Sequence, residues 1–436
     1  MPFSIVAPGS RFVSLAACLF CAVILHPLPA IAAVPARAAT AAAPISLDAA
    51  LTLADEANID VIRARLALKT AQANLRIADT APNPVFSVNS TQIRPSQIGV
   101  VPYGRLADTV ARVDLPLERG GKRRARTAAA NALIDAAQDD LVSARRDMRE
   151  AVYDAYFDLK AAEDRVRILQ TIASSYADSL AIAGKQQHVG ALSSGDLARQ
   201  TVEAARARTD AAQSVTQWHA AQLALGTLIG REVQSDMLAT TGDWPAPGDM
   251  NEQAADLIAL RRPDVLAAQA RTVAARRDVD GARALRHPDV TVGVQYERAS
   301  GALGVGDTVG LGVSLPIPVR NRYVGEGEAA ETALVQAEAE ERKAISVATA
   351  DILIARQALQ EAADRQRAFD TTQLPAARRA AEVAEFAYGH GATSLMELLD
   401  ARRSLRAVEL GAIDAQSDVA NAIARLSAAE TTGDDR

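Results

Sequence analysis

Ala-Arg-Val-Asp-Leu-Pro-Leu-Glu-Arg-Gly-Gly-Lys-Arg-Arg-Ala-Arg, residues 111 to 126, is where the chain changes its periodicity. On the N-terminal side Thr109, Ala111, Val113, Leu115 and Leu117 alternate with Asp108, Arg112 and Asp114, which predicts a strand with one apolar and one polar face. After Gly121 the apolar positions recur every three or four residues for about 65 residues, which predicts a very long helix. The switch recurs in the second half. Val309, Leu311, Val313, Leu315 and Ile317 alternate with Thr308, Gly310, Gly312, Ser314 and Pro316, and a second long helical pattern opens near Arg322. Leu115-Pro116-Leu117 thus answers Leu315-Pro316-Ile317.

Working outward, each junction sits in the same order of elements. A helix over Ile45–Ala78, strands over 84–93 and 108–117, and a long helical hairpin over 122–229 make a first repeat within 39–230. Residues 231–250, rich in Pro and Gly, read as a linker. A helix from about Asn251, strands over 289–297 and 307–317, and a hairpin over 322–429 make the second repeat, 251–430, before a short tail at 431–436. The hairpin turns match: Gly391-Ala392 follows Gly190-Ala191 by 201 residues, and Glu397-Leu398 answers Asp196-Leu197. This is an internal duplication.

Composition fits thin helical bundles. Of 436 residues 49% are hydrophobic but only 4% aromatic, because alanine supplies much of the apolar total. A net charge of −6 gives no surface for nucleic acid. Residues 1–38 read as a secretory leader: Arg11, an apolar run from Phe12 to Leu25, and small-x-small sites at Ala30-Ile31-Ala32 and Ala36-Arg37-Ala38. Leu15-Ala16-Ala17-Cys18 has the letters of a lipoprotein box, but the run before Cys18 is short and apolar residues follow it. Cys18 and Cys21 are the only cysteines, so the mature chain is expected to hold no disulfide and no thiolate metal site. Beyond the leader no run reaches 18 apolar residues, so any membrane crossing must be made by strands.

Strands of about ten residues suit a tilted bilayer crossing, yet four cannot close a barrel and lipid does not tolerate open edges. The barrel must therefore be shared between copies. Each long helix spans roughly 100 Å at 1.5 Å per residue, so the helices are expected to stack around an axis as a tube continuous with that barrel. Tyr296, near the far end of its strand, is placed in the outer aromatic girdle.

The paired strand–helix repeats resemble those of the TolC family of outer-membrane efflux ducts. So do Arg262-Pro263-Asp264-Val265, His287-Pro288-Asp289-Val290, and Tyr388-x-x-Gly391 with Glu397-Leu398-Leu399-Asp400-Ala401 and Leu405. The likeness covers the whole mature chain. It implies a mainly α-helical protein with membrane β-strands: a homotrimer whose shared twelve-stranded outer-membrane barrel continues into an α-helical periplasmic tunnel. It also implies docking to a periplasmic adaptor and an inner-membrane pump of the RND type. Leu117-Glu118-Arg119-Gly120-Gly121-Lys122-Arg123 and Pro318-Val319-Arg320-Asn321-Arg322 resemble the branch serving divalent heavy-metal exporters (CzcC-like).

Glu397 and Asp400, three apart, project from one helix face; in a trimer they form a ring of six carboxylates at the periplasmic mouth, although acids also favour a helix N-terminus. Asp196 and Tyr388 match family positions that hold the tunnel end closed, but Thr393 stands where a basic partner is expected, and Asp196 can equally cap its helix. Gly190, Ala191, Gly391 and Ala392 leave room for close packing and are the expected adaptor-docking tips. Lys122, Arg123, Arg124, Arg126, Arg320 and Arg322 follow the strands and are expected to meet anionic lipid or the tunnel wall, because cations gain nothing from a helix N-terminus. His188 and His390, at the two tips without acid or thiol companions, read as solvated turn residues more readily than as a metal site. No catalytic motif is present, and neither a cofactor nor a resident metal is expected. Two other readings stand beside the metal duct: the same duct serving drugs or type I protein secretion, and a soluble periplasmic coiled-coil scaffold.

Overall fold

The computed structural model describes residues 44–93, 95–100, 102, 107–248, 253–301 and 304–433. The expected leader with Cys18, part of the loop between the first two strands, and the last three residues of the tail lie outside those residues. The first half runs α1 (Leu47–Ala57), α2 (Ile59–Asp79), β1 (Val85–Thr91), β2 (Asp108–Leu117), α3 (Lys122–His188) and α4 (Ser194–Leu228). The second repeats it: α5 (Ala255–Ala259), α6 (Pro263–Ala284), β3 (Val290–Gly301), β4 (Gly304–Ser314), α7 (Val324–Ala368), a π turn (Phe369–Gln373), α8 (Leu374–Gly389) and α9 (Leu395–Glu430).

Several boundaries differ from the sequence reading, each for a local reason. The helix expected over Ile45–Ala78 is two helices. Asn58 has extended backbone, and its Oδ1 accepts from the Asp60 and Val61 N–H groups, so it ends α1 and caps α2. The helix expected from Asn251 is likewise two, because Pro263 opens α6 and Arg262 before it is extended. β3 and β4 approach each other to Gly301 and Gly304, extending past the expected ends at 297 and 307, and β4 stops pairing at Ser314 instead of 317. The second long helix is interrupted by its π turn just before Pro375. Proline has no N–H and crowds the carbonyl one turn back, and a widened turn accommodates both.

The four strands form one antiparallel sheet in the order β1-β2-β3-β4, with β1 and β4 as open edges. The β2–β3 pair, running from Thr109↔Arg298 to Leu117↔Val290, joins the two halves at the sheet centre. Register puts Phe86, Val113, Val294 and Leu311 in one row, and Leu115, Val292 and Val313 in the next. All seven are exposed. The opposite face carries Ser87, Arg112, Gln295 and Gly310 in one row, with Asp114, Gly293 and Gly312 in the next.

The helices bury small residues along thin seams, and three apolar clusters hold them. Val61, Val152, Tyr156, Leu159, Leu225 and Ile229 pack the first half. Ile258, Val265, Ile352, Leu359, Val419 and Leu426 pack the second. Tyr176, Ala207, Leu395, Leu398 and Leu399 close the bundle near the tips. The described part of the segment read as a linker is packed: Ile45 pairs with Thr240, and Tyr156 Oη accepts from the Thr241 N–H (3.0 Å). The tail is held as far as Gly433, whose N–H donates to Arg261 O (2.8 Å).

Candidate functional site

The tips are two copies of one motif. In the first, Gly190 (φ +77°) donates to Gln187 O (3.0 Å) and Ala191 to Gln186 O (2.8 Å). In the second, Gly391 (φ +70°) donates to Tyr388 O (3.0 Å) and Ala392 to Ala387 O (2.8 Å). A left-handed residue after a helix favours glycine, and these paired bonds satisfy the last carbonyls. Ser193 and Ser394 then cap the return helices, their Oγ atoms accepting from the N–H groups of Asp196 (3.0 Å) and Glu397 (3.3 Å). The duplication inferred from spacing is thus visible bond by bond.

Beyond the cap the copies diverge. Asp196 is tied within its own helix, accepting from Ser193 Oγ (2.8 Å) and pairing with Arg199 (3.1 Å). Glu397 and Asp400 lie on the exposed side of α9, opposite the buried Leu395, Leu398 and Leu399. Asp400 pairs with Arg403 at 3.2 Å yet its side chain stays 72% exposed. Tyr388 packs on the tip cluster instead of reaching Asp196 within the protomer. His390 Nδ1 lies 2.8 Å from Phe386 O, and His188 is exposed. Among the described residues no group of three or more His, Cys, Asp and Glu side chains converges as a metal site.

One feature of the tips has no trace in local sequence pattern. Arginines of α9 reach three other helices. Arg403 bonds Glu203 on α4 (2.6 Å), Arg406 bonds Asp210 on α4, and Arg402 bonds Glu385 on α8 (2.8 Å) and Ser179 on α3 (3.1 Å). Glu203 is almost fully buried (side chain 6% exposed). The Arg403 hydrogen bond holds its carboxyl below the ordinary value, against a burial that works to raise it. Farther up α3, burial first, with Glu150 beside it, pushes Asp154 up to about 6, while Arg425 pulls the other way. Asp154 Oδ1 is buried without a hydrogen-bond partner.

At the first strand-to-helix junction Gly120 and Gly121 are both left-handed (φ +72° and +79°), and a Cβ on Gly120 would lie 2.7 Å from His287 Cβ. Lys122 pairs with Asp289 (2.8 Å), Arg123 with Asp79 (2.9 Å), and Arg126 with Glu118 while also donating to Ala78 O (2.6 Å) and Thr80 O (3.0 Å). Burial works against an ionised Asp289, but the Lys122 ammonium and the Arg119 N–H outweigh it and hold the carboxyl below its usual range. Much of the basic cluster is therefore spent inside the protomer. Arg119, Arg124, Arg320 and Arg322 are exposed and make no ion pair among the described residues. Arg119 continues the alternation Val113, Leu115, Leu117, a signal present in the sequence.

On the polar face of the sheet Arg112 lies flat. Its Nε bonds Asp114 (2.7 Å), and the guanidinium passes over Gly293 and Gly312. A side chain at Gly293 would collide with Asp114 and approach Arg112 Nη2 to 2.9 Å, so these glycines keep the wall low.

A family model described as outer membrane efflux protein matches residues 50–231 and 254–430. The chain is 27% identical over 379 residues to the cobalt-zinc-cadmium resistance protein CzcC of Cupriavidus metallidurans, covering 85% of this chain and 86% of that protein. It is 33% identical over 300 residues to the pyoverdine export outer membrane protein OpmQ of Pseudomonas putida, covering 66% of this chain and 62% of that one. Its fold matches a membrane protein from Pseudomonas aeruginosa at a TM-score of 0.76 and 21% identity, covering 88% and 93% of the two chains.

Proposed function

This chain belongs to the outer membrane efflux protein family, and from that premise we propose that three copies form the passive outer-membrane duct of a tripartite exporter for divalent heavy-metal cations. The observation that carries the reading is the sheet: four strands, two open edges, and a continuous exposed apolar face backed by a polar one. Lipid permits that face only if every edge is paired, so copies must share the barrel. Two copies would give eight strands, whose interior is filled by side chains; three give twelve and leave a bore. A soluble scaffold gains nothing from such a face, which would be an aggregation liability in water.

The cargo reading rests on the similarity to CzcC, which extends through both halves, whereas the similarity to OpmQ covers about two thirds of the chain. Glu397 and Asp400 support it, as exposed acids three residues apart near the tip that would ring a trimeric mouth and concentrate cations. In this account Asp196 and Tyr388 make gate contacts between protomers, and Gly190, Ala191, Gly391 and Ala392 form the tip surface for a periplasmic adaptor, which links the duct to an RND-type inner-membrane pump. The duct performs no chemistry; its partners supply the energy.

A deletion strain tests the cargo. Sensitivity to zinc, cobalt or cadmium, restored by the wild-type gene, is expected; unchanged metal tolerance with new sensitivity to drugs or impaired siderophore release would assign the duct to another cargo. In planar bilayers Glu397→Ala with Asp400→Ala should lower the cation-to-anion permeability ratio, and an unchanged ratio would remove the acidic ring.

A further inference from the structure

The apolar stripe on β4 does not end where its pairing ends. Val309, Leu311 and Val313 cover only ~13 Å along the strand, roughly 10 Å along a membrane normal at a 40° tilt, whereas a barrel's apolar band is about 25 Å tall. Leu315 and Ile317, also exposed, extend the stripe to ~26 Å along the chain, roughly 20 Å along the normal. The ridge thus continues the apolar face to the periplasmic edge of the band, where the paired strand ends. Pro316 and Pro318 keep it from turning helical, and the chain bends only at Pro318, where the Val319 N–H donates to Ile317 O (2.8 Å).

Arg320 and Arg322 come immediately after that bend. On β2 the outward alternation Val113, Leu115, Leu117 runs into Arg119 at the same end of the sheet, since Pro116 and Ser314 flank the same residue, Thr291. β2 and β4 are separated by one strand, about 10 Å. These three guanidiniums are exposed and without ion pairs among the described residues, while Lys122, Arg123 and Arg126 beside them are neutralised by Asp289, Asp79 and Glu118. Tyr323, half-buried, stands beside them in the chain, whereas Tyr296 lies mid-strand in β3. Aromatic and basic groups at the edge of an apolar band are the chemistry of a headgroup layer.

Resting on the outer-membrane reading, we infer that Arg119, Arg320 and Arg322 form a binding site for the headgroups of anionic phospholipids in the periplasmic leaflet, with Leu315 and Ile317 against the acyl chains. Guanidinium recognises a phosphodiester by charge and by paired N–H donors, and the ridge supplies the apolar surface that a free phosphate would not use. Lys122 and Arg123 take no part.

The test is lipid retention by wild-type trimers in native mass spectrometry after exposure to equal phosphatidylglycerol and phosphatidylcholine. Wild type should favour phosphatidylglycerol by at least about fivefold, from roughly 1 kcal/mol per basic residue near an anionic surface, and the preference should shrink as salt rises. Arg119→Gln with Arg320→Gln and Arg322→Gln should bring the ratio near one; Lys122→Gln with Arg123→Gln, which removes two neighbouring charges against three, should keep it. If the triple variant fails to assemble, Arg320→Gln and Arg322→Gln singly should each lower the ratio. Membrane-inserted wild type with no preference, or a triple variant that retains it, overturns the lipid site alone. So does a triple variant that falls apart to monomers while the single variants keep the ratio, which would make these arginines subunit contacts. Wild type found only in the soluble fraction would instead remove the outer-membrane reading beneath it.

Discussion

The two junctions where strand becomes helix make the same turn by different means. Gly121 (φ +79°, ψ +16°) and Tyr323 (φ +56°, ψ +35°) are both left-handed N-caps without a side-chain cap bond. The first is packed shut, with Gly120 against His287 and three ion pairs around it. The second is open: Gly325 has nothing near it, and Asn321 steadies the turn by accepting from the Tyr323 N–H (2.9 Å). The difference follows from the sheet. β2 lies at its centre and its junction meets α6 and β3 of the same chain, whereas β4 is an edge whose neighbours must come from outside. A duplicated unit has thus been closed on itself in one copy and left open at the sheet edge in the other.

That contrast is easiest to break at Gly120. Valine there must adopt a left-handed backbone, costing about 1–2 kcal/mol, and also displace His287; a total of about 3 kcal/mol or more should sharply lower the yield of trimer recovered from membranes. Normal trimer yield would mean that the first junction is less tightly specified than its contacts indicate.

The clasp between halves should come next. Arg403→Ala leaves Glu203 buried with only the longer contact to Arg206 (3.9 Å), and a loss of about 2 kcal/mol is expected in chemical denaturation, largely restored by adding Glu203→Gln. Because the folded Glu203 carboxyl titrates below its ordinary value, the clasp stabilises above the unfolded pKa, about 4.3, and is lost as pH falls through the lower folded one. The gap between wild type and Arg403→Ala should therefore narrow below about pH 4.

Asp154 on α3 has the opposite sign. Its folded pKa is raised to about 6, so it costs stability as pH rises from about 4 through 6. Asp154→Asn should raise the melting temperature at pH 7.5 and leave it nearly unchanged at pH 4. Equal effects at both values would show that the carboxyl is solvated. The smallest expected effect is at the open junction, where Tyr323→Gly relieves a left-handed tyrosine and should stabilise the detergent-solubilised trimer by up to about 1 kcal/mol. The same turn would then respond oppositely to losing and gaining a side chain.

What sequence made legible was whatever repeats locally. Alternation identified Val113, Leu115 and Leu117 as one face, whereas Asp196, read as a possible cap, lies in the first turn of a helix capped by Ser193. Pattern overran where pairing, not periodicity, decides: Leu315 and Ile317 alternate like strand residues but have no partner strand in the protomer. Asn58 passed inside an alanine-rich helix because a single break hardly alters a 3.6-residue period. Pro375 marks the π turn, but its effect shows only once the helix around it is placed. The Arg403–Glu203 clasp joins residues 200 apart across the two repeats, so no local rule could show it. For the candidate sites, sequence placed Glu397 and Asp400 on one helix face but did not separate Lys122 and Arg123, which have carboxylate partners, from Arg320 and Arg322, which have none.

The central claim is that one face of the sheet meets lipid and the other water. Spin labels placed singly at Val292, Leu311 and Val313, and at Ser87, Gln295 and Gly310, in trimers reconstituted into bilayers would test it directly. The account predicts that the first three relax chiefly with oxygen and the second three chiefly with a water-soluble nickel chelate, alternating along each strand. Uniform access to the chelate on both faces would contradict it.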